Sequence, residues 1–175
     1  MIIQTPRLIL RPWRASDLPL FAEQSADPEG MRFLNGPMTR AQSDAYVARM
    51  EAHFAEHGFG KWAVEAPGIA SFIGAAGLMH MRFEASFTPG VEAAWRLHRP
   101  FWGQGFATEA AHAAIQDGYD RIGLTGIVAI TSVMNHPSMR VMERLGMTRS
   151  IEFDHPLLPE GHELRRHILY RARRA

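Results

Sequence analysis

The stretch that decides the fold and the ligand of this chain is Arg99-Pro-Phe-Trp-Gly-Gln-Gly-Phe-Ala-Thr-Glu109. It lies between a strand-like run, Val91–Leu97, and a helix-like run, Ala107–Asp117. A Gly-rich turn that leads into a helix gathers unpartnered backbone N–H groups at the positive end of the helix dipole. Such a turn suits an anion, above all a phosphate or pyrophosphate. The kind of phosphate ligand therefore decides the function.

The composition is that of an ordinary globular protein. Of 175 residues, 46% are hydrophobic and 21% are charged, and the net charge is +1. A chain of this size buries roughly 70% of its unfolded surface, so we expect one domain over residues 1–175. The near-neutral charge gives no global field that would attract nucleic acid or a membrane surface.

Two further features of the sequence narrow the class of protein. The chain lacks cysteine, which excludes disulfides, thiolate metal sites and a cysteine nucleophile. The start, Met1-Ile-Ile-Gln-Thr-Pro-Arg7, has no basic region followed by a long apolar stretch, and no apolar run is long enough to cross a membrane. We therefore expect a cytoplasmic protein.

Hydrophobic periodicity and turn residues predict about seven strands and four helices. The predicted strands are Leu8–Arg11, Lys61–Glu65, Ser71–Met81, Val91–Leu97, Ile127–Ser132, Thr148–Phe153 and Leu164–Tyr170. The predicted helices are a short one that is capped at Ser16-Asp17 and runs to about Ser25, then Ser43–His57, Ala107–Asp117 and Pro137–Leu145. Strands with interspersed helices favour an α/β or α+β fold around a single sheet.

Three kinds of turn compete for the Gly-rich stretch. A P-loop of the nucleotide-hydrolase kind needs a lysine after the glycines, and none follows here. A dinucleotide fingerprint needs a third glycine, but Thr108 stands at that position and the motif comes late in the chain. A plain strand-to-helix turn is the third interpretation.

Other segments, in their order and spacing, distinguish between these alternatives. They are Thr5–Leu18, Val91–Leu97, Trp102–Ala110, Asn135–Met147 and Phe153–Tyr170. This ordered set resembles the GNAT N-acetyltransferase superfamily, and most closely its branch that includes ribosomal-protein N-terminal acetyltransferases. The resemblance spans nearly the whole chain.

The resemblance implies an α+β fold with a mixed, mostly antiparallel sheet flanked by helices. The sheet would splay open between the fourth and fifth predicted strands, Val91–Leu97 and Ile127–Ser132. Acetyl-CoA would lie in that cleft, with its pantetheine arm paired to the exposed strand edge. The implied donor-binding residues are Leu97, Trp102, Gly103, Gln104, Gly105, Ala107, Thr108 and Asn135.

Acetyl transfer to an amine needs a base for the amine proton, a donor to the carbonyl oxygen and an acid for the leaving sulfur. Glu92 stands at the glutamate of the family's Val-Glu-x-Gly-Trp-Arg-Leu strand and is our candidate base, acting through water. A solvent-facing glutamate is the alternative, and His80 is a second candidate base or a structural histidine. The resemblance implies a bulge near Leu97 whose N–H stabilises the oxyanion.

Many family members use a tyrosine as the acid, but Met142 stands at that position. The nearest hydroxyl is Ser138, which is either the acid or a helix cap. Asn135 would bind the pantetheine amide or serve as a turn or cap residue.

Histidines raise the alternative of a metal site. His53-Phe-Ala-Glu-His57 matches a zinc-peptidase pattern, but a third ligand would have to come from far along the chain, so we expect an amphipathic helix and no metal. His155, His162 and His167 lie in or after a Pro-rich loop that would shape an acceptor pocket or a homodimer contact.

The sequence thus predicts direct acetyl transfer from acetyl-CoA to a primary amine, on a small molecule or a protein N-terminus, without nucleic-acid or membrane partners. A non-catalytic acyl-CoA-binding regulatory module is the alternative.

Overall fold

The computed structural model describes residues 1–174, and in them one sheet of eight strands is flanked by five helices. The strands are β1 (Ile3–Gln4), β2 (Ile9–Arg11), β3 (Lys61–Ala66), β4 (Ala70–His80), β5 (Val91–Leu97), β6 (Ile127–Ser132), β7 (Thr148–Asp154) and β8 (Arg166–Arg171). The helices are α1 (Asp17–Ala26), α2 (Pro28–Met31), α3 (Arg40–His57), α4 (Phe106–Asp120) and α5 (His136–Arg144). None of these helices is long and apolar enough to cross a membrane.

The sheet is mixed and mostly antiparallel, as predicted. Its order is β1-β2-β3-β4-β5-β6-β8-β7, and β5 with β6 is the parallel pair. The fourth and fifth predicted strands are β5 and β6, and they pair only at Val91–Ile127 and Glu92–Val128 before they separate. The expected splay is therefore present, and the two-residue β1 is the strand that the sequence did not predict.

Helices cover both faces of the sheet. On one face α1 and α3 pack through a cluster that includes Phe21, Val47 and Met50. On the other face α4 contributes Phe106 and Ala110 to a core beneath β3 and β4. Alternation along each strand sends successive side chains to opposite faces. The strands β3 and β4 therefore contribute side chains to both cores.

Two glycines allow β4 to lie close to both neighbours. A Cβ on Gly77 would lie 2.1 Å from the carbonyl oxygen of Gly60, and a Cβ on Gly74 would lie 2.3 Å from that of Arg96. Their φ angles are +157° and +142°, which L side chains rarely adopt. Glycine is therefore required at both positions.

Local capping sets where the helices begin, and it corrects two predictions. The Thr39 side chain accepts from Gln42 N–H and the Gln42 side chain accepts from Thr39 N–H, so α3 begins at Arg40 rather than at Ser43. Ser16 makes no side-chain cap on α1. Asp17 instead forms a bidentate buried ion pair with Arg11, at 2.7 and 2.9 Å.

Candidate active site

The Gly-rich turn and the first turn of α4 form a cradle of backbone amides. Gly103 and Gly105 have φ angles of +74° and +82°, in the left-handed region. Gly105 is the N-cap of α4, and its carbonyl accepts the N–H of Glu109 at 3.0 Å. The preceding amides, on residues 106–108, have no partner within the helix. They form the positive end of the helix dipole, which suits an anion.

Arg7 adds a side-chain cation to this cradle. Its Nη1 donates to the carbonyl of Gln104 at 2.9 Å, and its Nη2 would lie 3.3 Å from a Cβ on Gly105. Its Nε pairs with Glu109 at 2.6 Å, and Thr5 donates to the same carboxylate at 2.6 Å. Burial raises the pKa of Glu109, but these hydrogen bonds outweigh it and hold the pKa below its usual value. Hydrogen bonds and an ion pair therefore hold Thr5 and Arg7 against the Gly-rich turn and the start of α4.

Side chains within the turn hold its shape. The indole of Trp102 donates to the carbonyl of Leu97 at 2.7 Å, and the Gln104 amide donates to the carbonyl of Pro100 at 3.0 Å. A groove of about 1050 Å³ reaches Gly105 and Thr108 from the side of α4. Glu92 does not line this groove. The groove therefore borders the Gly-rich turn but not the candidate base, Glu92.

The edge of β5 beyond Glu92 is open towards β6. His98 N–H donates to Ile73 at 2.9 Å, which makes residues 98 and 73 a hydrogen-bonded pair. Because such pairs alternate in antiparallel strands, the N–H and C=O groups of Trp95 and Leu97 face away from β4. Within residues 1–174, β6 pairs with β5 only at Val91 and Glu92, so the groups of Trp95 and Leu97 line the gap.

The bulge expected near Leu97 is absent from the pairing of β5 with β4 in the described chain. The register runs unbroken from His80–Val91 to Gly74–Leu97. Gly74 lets β5 approach β4 closely at this end, because a Cβ on Gly74 would lie 2.3 Å from the carbonyl oxygen of Arg96. Leu97 N–H faces the gap by strand alternation alone.

Glu92 lies half-buried on the α3 face of the sheet, within a group of ionisable side chains. Burial raises the pKa of Glu92, and the charge of Lys61 offsets part of that rise. Lys61 Nζ donates to the Tyr46 hydroxyl at 3.0 Å. Burial raises the pKa of Tyr46, but Lys61 and Arg96 outweigh it and lower the pKa overall. Glu92 is therefore not a solvent-facing surface glutamate.

Arg96 lies four residues beyond Glu92 on the same face of β5. Its guanidinium carbon is 4.4 Å from the centre of the Phe21 ring and 5.2 Å from that of Tyr46. Its Nη2 is buried and has no hydrogen-bond partner in the described chain. The sequence did not single out Tyr46 or Lys61, because these residues come from other elements, α3 and β3. It gave no role to Arg96, although Arg96 stands in the Val91–Leu97 motif.

Ser138 and Asn135 lie at the start of α5, directly after β6. Asn135 Oδ1 accepts Ser138 N–H at 3.3 Å, and Asn135 Nδ2 donates to Thr131 Oγ1 at 2.9 Å. Asn135 is thus the N-cap of α5, and the Ser138 hydroxyl takes no part in the cap. Met142 is 1% exposed in a core with Ala129, so that position holds a packing residue.

Five of the nine histidines lie in two clusters. His80 Nδ1 lies 3.1 Å from His53 Nε2, so His80 belongs to a cluster with His53 and His57. His155 packs against Phe83, at 4.6 Å between ring centres, and against His167, at 4.8 Å. Burial, with His167 beside it, lowers the pKa of His155 to about 4. His155 and His167 are therefore parts of an aromatic cluster.

Comparison with known proteins agrees with this geometry. Residues 7–148 match the family model described as an acetyltransferase (GNAT) domain. The chain therefore belongs to the GNAT acetyltransferases, a family of enzymes that use acetyl-CoA.

Individual relatives extend over nearly the whole chain. An uncharacterized N-acetyltransferase of Bacillus subtilis, YnaD, is 29% identical over 165 residues, which cover 93% of this chain and 91% of that protein. An acetyltransferase structure from Agrobacterium tumefaciens is 26% identical with a TM-score of 0.82, and the match covers 99% of this chain and 95% of that one. RimL, a ribosomal L7/L12 alpha-N-protein acetyltransferase solved with coenzyme A, shares the fold at 17% identity and a TM-score of 0.77, over 98% and 97% of the two chains.

Proposed function

We propose that this chain, as a single N-acetyltransferase domain, moves an acetyl group from acetyl-CoA directly to a primary amine. The amine belongs to a protein N-terminus or to a small molecule. The observation that carries the proposal is the open edge of β5, which lies beside the Gly-rich turn that begins α4. One strand thus offers a place for an extended ligand, and its continuation offers a place for a phosphate.

The residues of this cleft fit the donor. The amides of Ala107 and Thr108, with the cation of Arg7, suit a pyrophosphate. The N–H and C=O groups of Trp95 suit the amides of a pantetheine arm, which would pair as an added strand. Acetyl-CoA supplies the thioester carbonyl, and this chain supplies the groups around it.

Glu92 serves as the base in this proposal. The amine loses a proton as its nitrogen bonds to the acetyl carbon, and Glu92 accepts that proton through a bridging water. Its raised pKa supports the role, because a base works best when its pKa lies near the working pH. The N–H of Leu97, which faces the gap, donates to the carbonyl oxygen as negative charge develops there.

Ser138 serves as the acid. Its hydroxyl donates a proton to the sulfur as the carbon–sulfur bond breaks. Two observations support this role: Asn135 already caps α5, which leaves the hydroxyl of Ser138 outside the cap, and Met142 has no proton to donate. Ser138 follows β6, on the far side of the gap from Leu97.

Calorimetric titration with acetyl-CoA tests the donor site. Gly105→Val should weaken binding at least tenfold, because a side chain would stand where the phosphate lies. Gly68→Val is the matched control: Gly68 has a similar φ, +77°, with nothing within 4 Å of a Cβ, and it lies in the β3–β4 turn. Equal affinity in wild type and Gly105→Val would refute the assignment of the turn.

A panel of amines tests the transfer itself. We expect turnover with at least one class among N-terminal peptides, amino acids and small polyamines, measured as free CoA thiol. Tight acetyl-CoA binding without turnover of any amine would instead support the regulatory module, the alternative that the absence of a tyrosine at position 142 keeps open.

A further inference from the structure

Three histidines from two elements meet at the end of α3. His53 and His57 lie one turn apart on α3, and His80 is the last residue of β4. One ring nitrogen from each lies within 4.8 Å of the other two. His57 and His80 are exposed, so an ion from solvent can reach them. The third ligand that the sequence did not supply near His53 and His57 is thus supplied by the sheet.

The hydrogen bonds of His53 leave the ring in the state that a metal ligand needs. Its Nδ1 lies 2.7 Å from the carbonyl oxygen of Phe59, and since a carbonyl only accepts, Nδ1 carries the proton. Nε2 therefore presents a lone pair to the cluster. Metal-binding histidines commonly donate their other N–H to a backbone carbonyl in this way, which fixes the tautomer and the ring orientation.

The spacing and charge of the cluster also suit a metal. Two nitrogens at about 2.0 Å from a tetrahedral Zn²⁺ are roughly 3.3 Å apart, and His53 Nε2 and His80 Nδ1 are 3.1 Å apart. A carboxylate oxygen of Glu56 lies 3.6 Å from His57 Nε2 and adds negative charge.

We propose that His53, His57 and His80 bind a divalent transition-metal ion such as Zn²⁺, with water in a fourth position. Imidazole nitrogens are ligands that suit Zn²⁺. The ion would replace the hydrogen bond that His80 N–H now donates to His53 Nε2 at 3.1 Å. It would join the end of α3 to the end of β4. The proposal does not depend on the proposed acetyl transfer.

Titration of chelator-treated, desalted protein with Zn²⁺ tests the site. We expect one ion per chain, a dissociation constant on the order of 1 μM and a higher melting temperature with the metal. His57→Gln and His80→Gln should each weaken binding at least tenfold. His112→Gln, a change at an exposed histidine of α4, should leave binding unchanged.

The visible absorption of bound Co²⁺ is a second measurement, and it does not depend on enzyme activity. Co²⁺ should produce the intense visible absorption of a four-coordinate ion in wild type and in His112→Gln, and not in His57→Gln. Melting in the presence of a chelator verifies that each variant folds. Absence of binding at 100 μM metal, or equal binding in all variants, would overturn the proposal.

Discussion

The two edges of β5 differ in how many of its residues pair with the neighbouring strand. On the β4 side, seven register pairs run from Val91 to Leu97. On the β6 side only Val91 and Glu92 are paired. The closed edge gives rigidity and the open edge gives a place for a ligand. The same seven residues thus belong to the core on one side and to the candidate site on the other.

The largest effect is expected from a change that breaks the closed edge. Gly74→Ala places a Cβ 2.3 Å from the Arg96 carbonyl oxygen, which forces β5 away from β4. We expect a loss of about 3 kcal/mol in the free energy of unfolding, measured by denaturant titration. Gly126→Ala, with nothing within 4 Å of its Cβ, is the control and should change stability by less than about 0.5 kcal/mol. Equal losses in both variants would mean that β4 and β5 do not pack so closely.

Glu92 is the last residue paired on both edges, and its change should act on chemistry alone. Glu92→Gln removes the base but keeps the shape, so we expect kcat to fall roughly 100-fold with acetyl-CoA affinity unchanged. In wild type, kcat/KM should rise with pH through a raised pKa, because the base must be ionised and burial disfavours its ionised form. In Glu92→Gln, kcat/KM should no longer show this rise with pH. An unchanged pH profile would point to a different base.

Two variants at the start of α5, which lies across the gap from the open edge of β5, test the role of Ser138 as the acid. Ser138→Ala should lower kcat about tenfold without loss of stability, because its hydroxyl does not cap the helix. Asn135→Ala should instead reduce stability by about 1 kcal/mol, through loss of the cap. If Ser138→Ala loses stability and keeps kcat, its role is structural. Steady-state kinetics and thermal melting of both variants separate the two outcomes.

The smallest effect concerns the aromatic cluster that joins β8 to the loop after β4. The pKa of His155 is about 4 in the folded chain and about 6.5 when unfolded, so the folded state favours the neutral ring. Its contribution to stability is present above pH 6.5 and is lost as pH falls towards 4. His155→Gln should flatten the decline in melting temperature over that interval. His112→Gln should leave the decline as in wild type.

Most of the fold could be predicted from local signals. β5 and β6 have the predicted bounds, Val91–Leu97 and Ile127–Ser132, because the turn Thr88-Pro89-Gly90 precedes β5 and because β6 is a β-branched, apolar run. The start of α3 was wrong by three residues, since the Thr39–Gln42 capping box was overlooked. β1 is two residues long and has no periodicity to detect.

Local sequence signals by themselves predict only the contiguous part of the candidate site, since Glu92, Asn135 and Ser138 were assigned through the family resemblance. Gly103 and Gly105 lie in one turn, and glycines just before a helix indicate free backbone N–H groups that suit an anion. Arg7 reaches that turn from the chain start, and His80 reaches His53 across 27 positions. These contacts between distant residues depend on the order of the strands in the sheet. The spacing of residues along the sequence does not reveal that order.

The open edge has a consequence for how long the protein lasts. On the proposed function, one strand of the sheet belongs to a molecule that leaves after every turnover. A ligand that binds only the folded chain stabilises it, by about 2.7 kcal/mol at a hundred times its dissociation constant. Resistance to heat and to proteases would then follow the supply of acetyl-CoA, and a starved cell would hold a less durable enzyme.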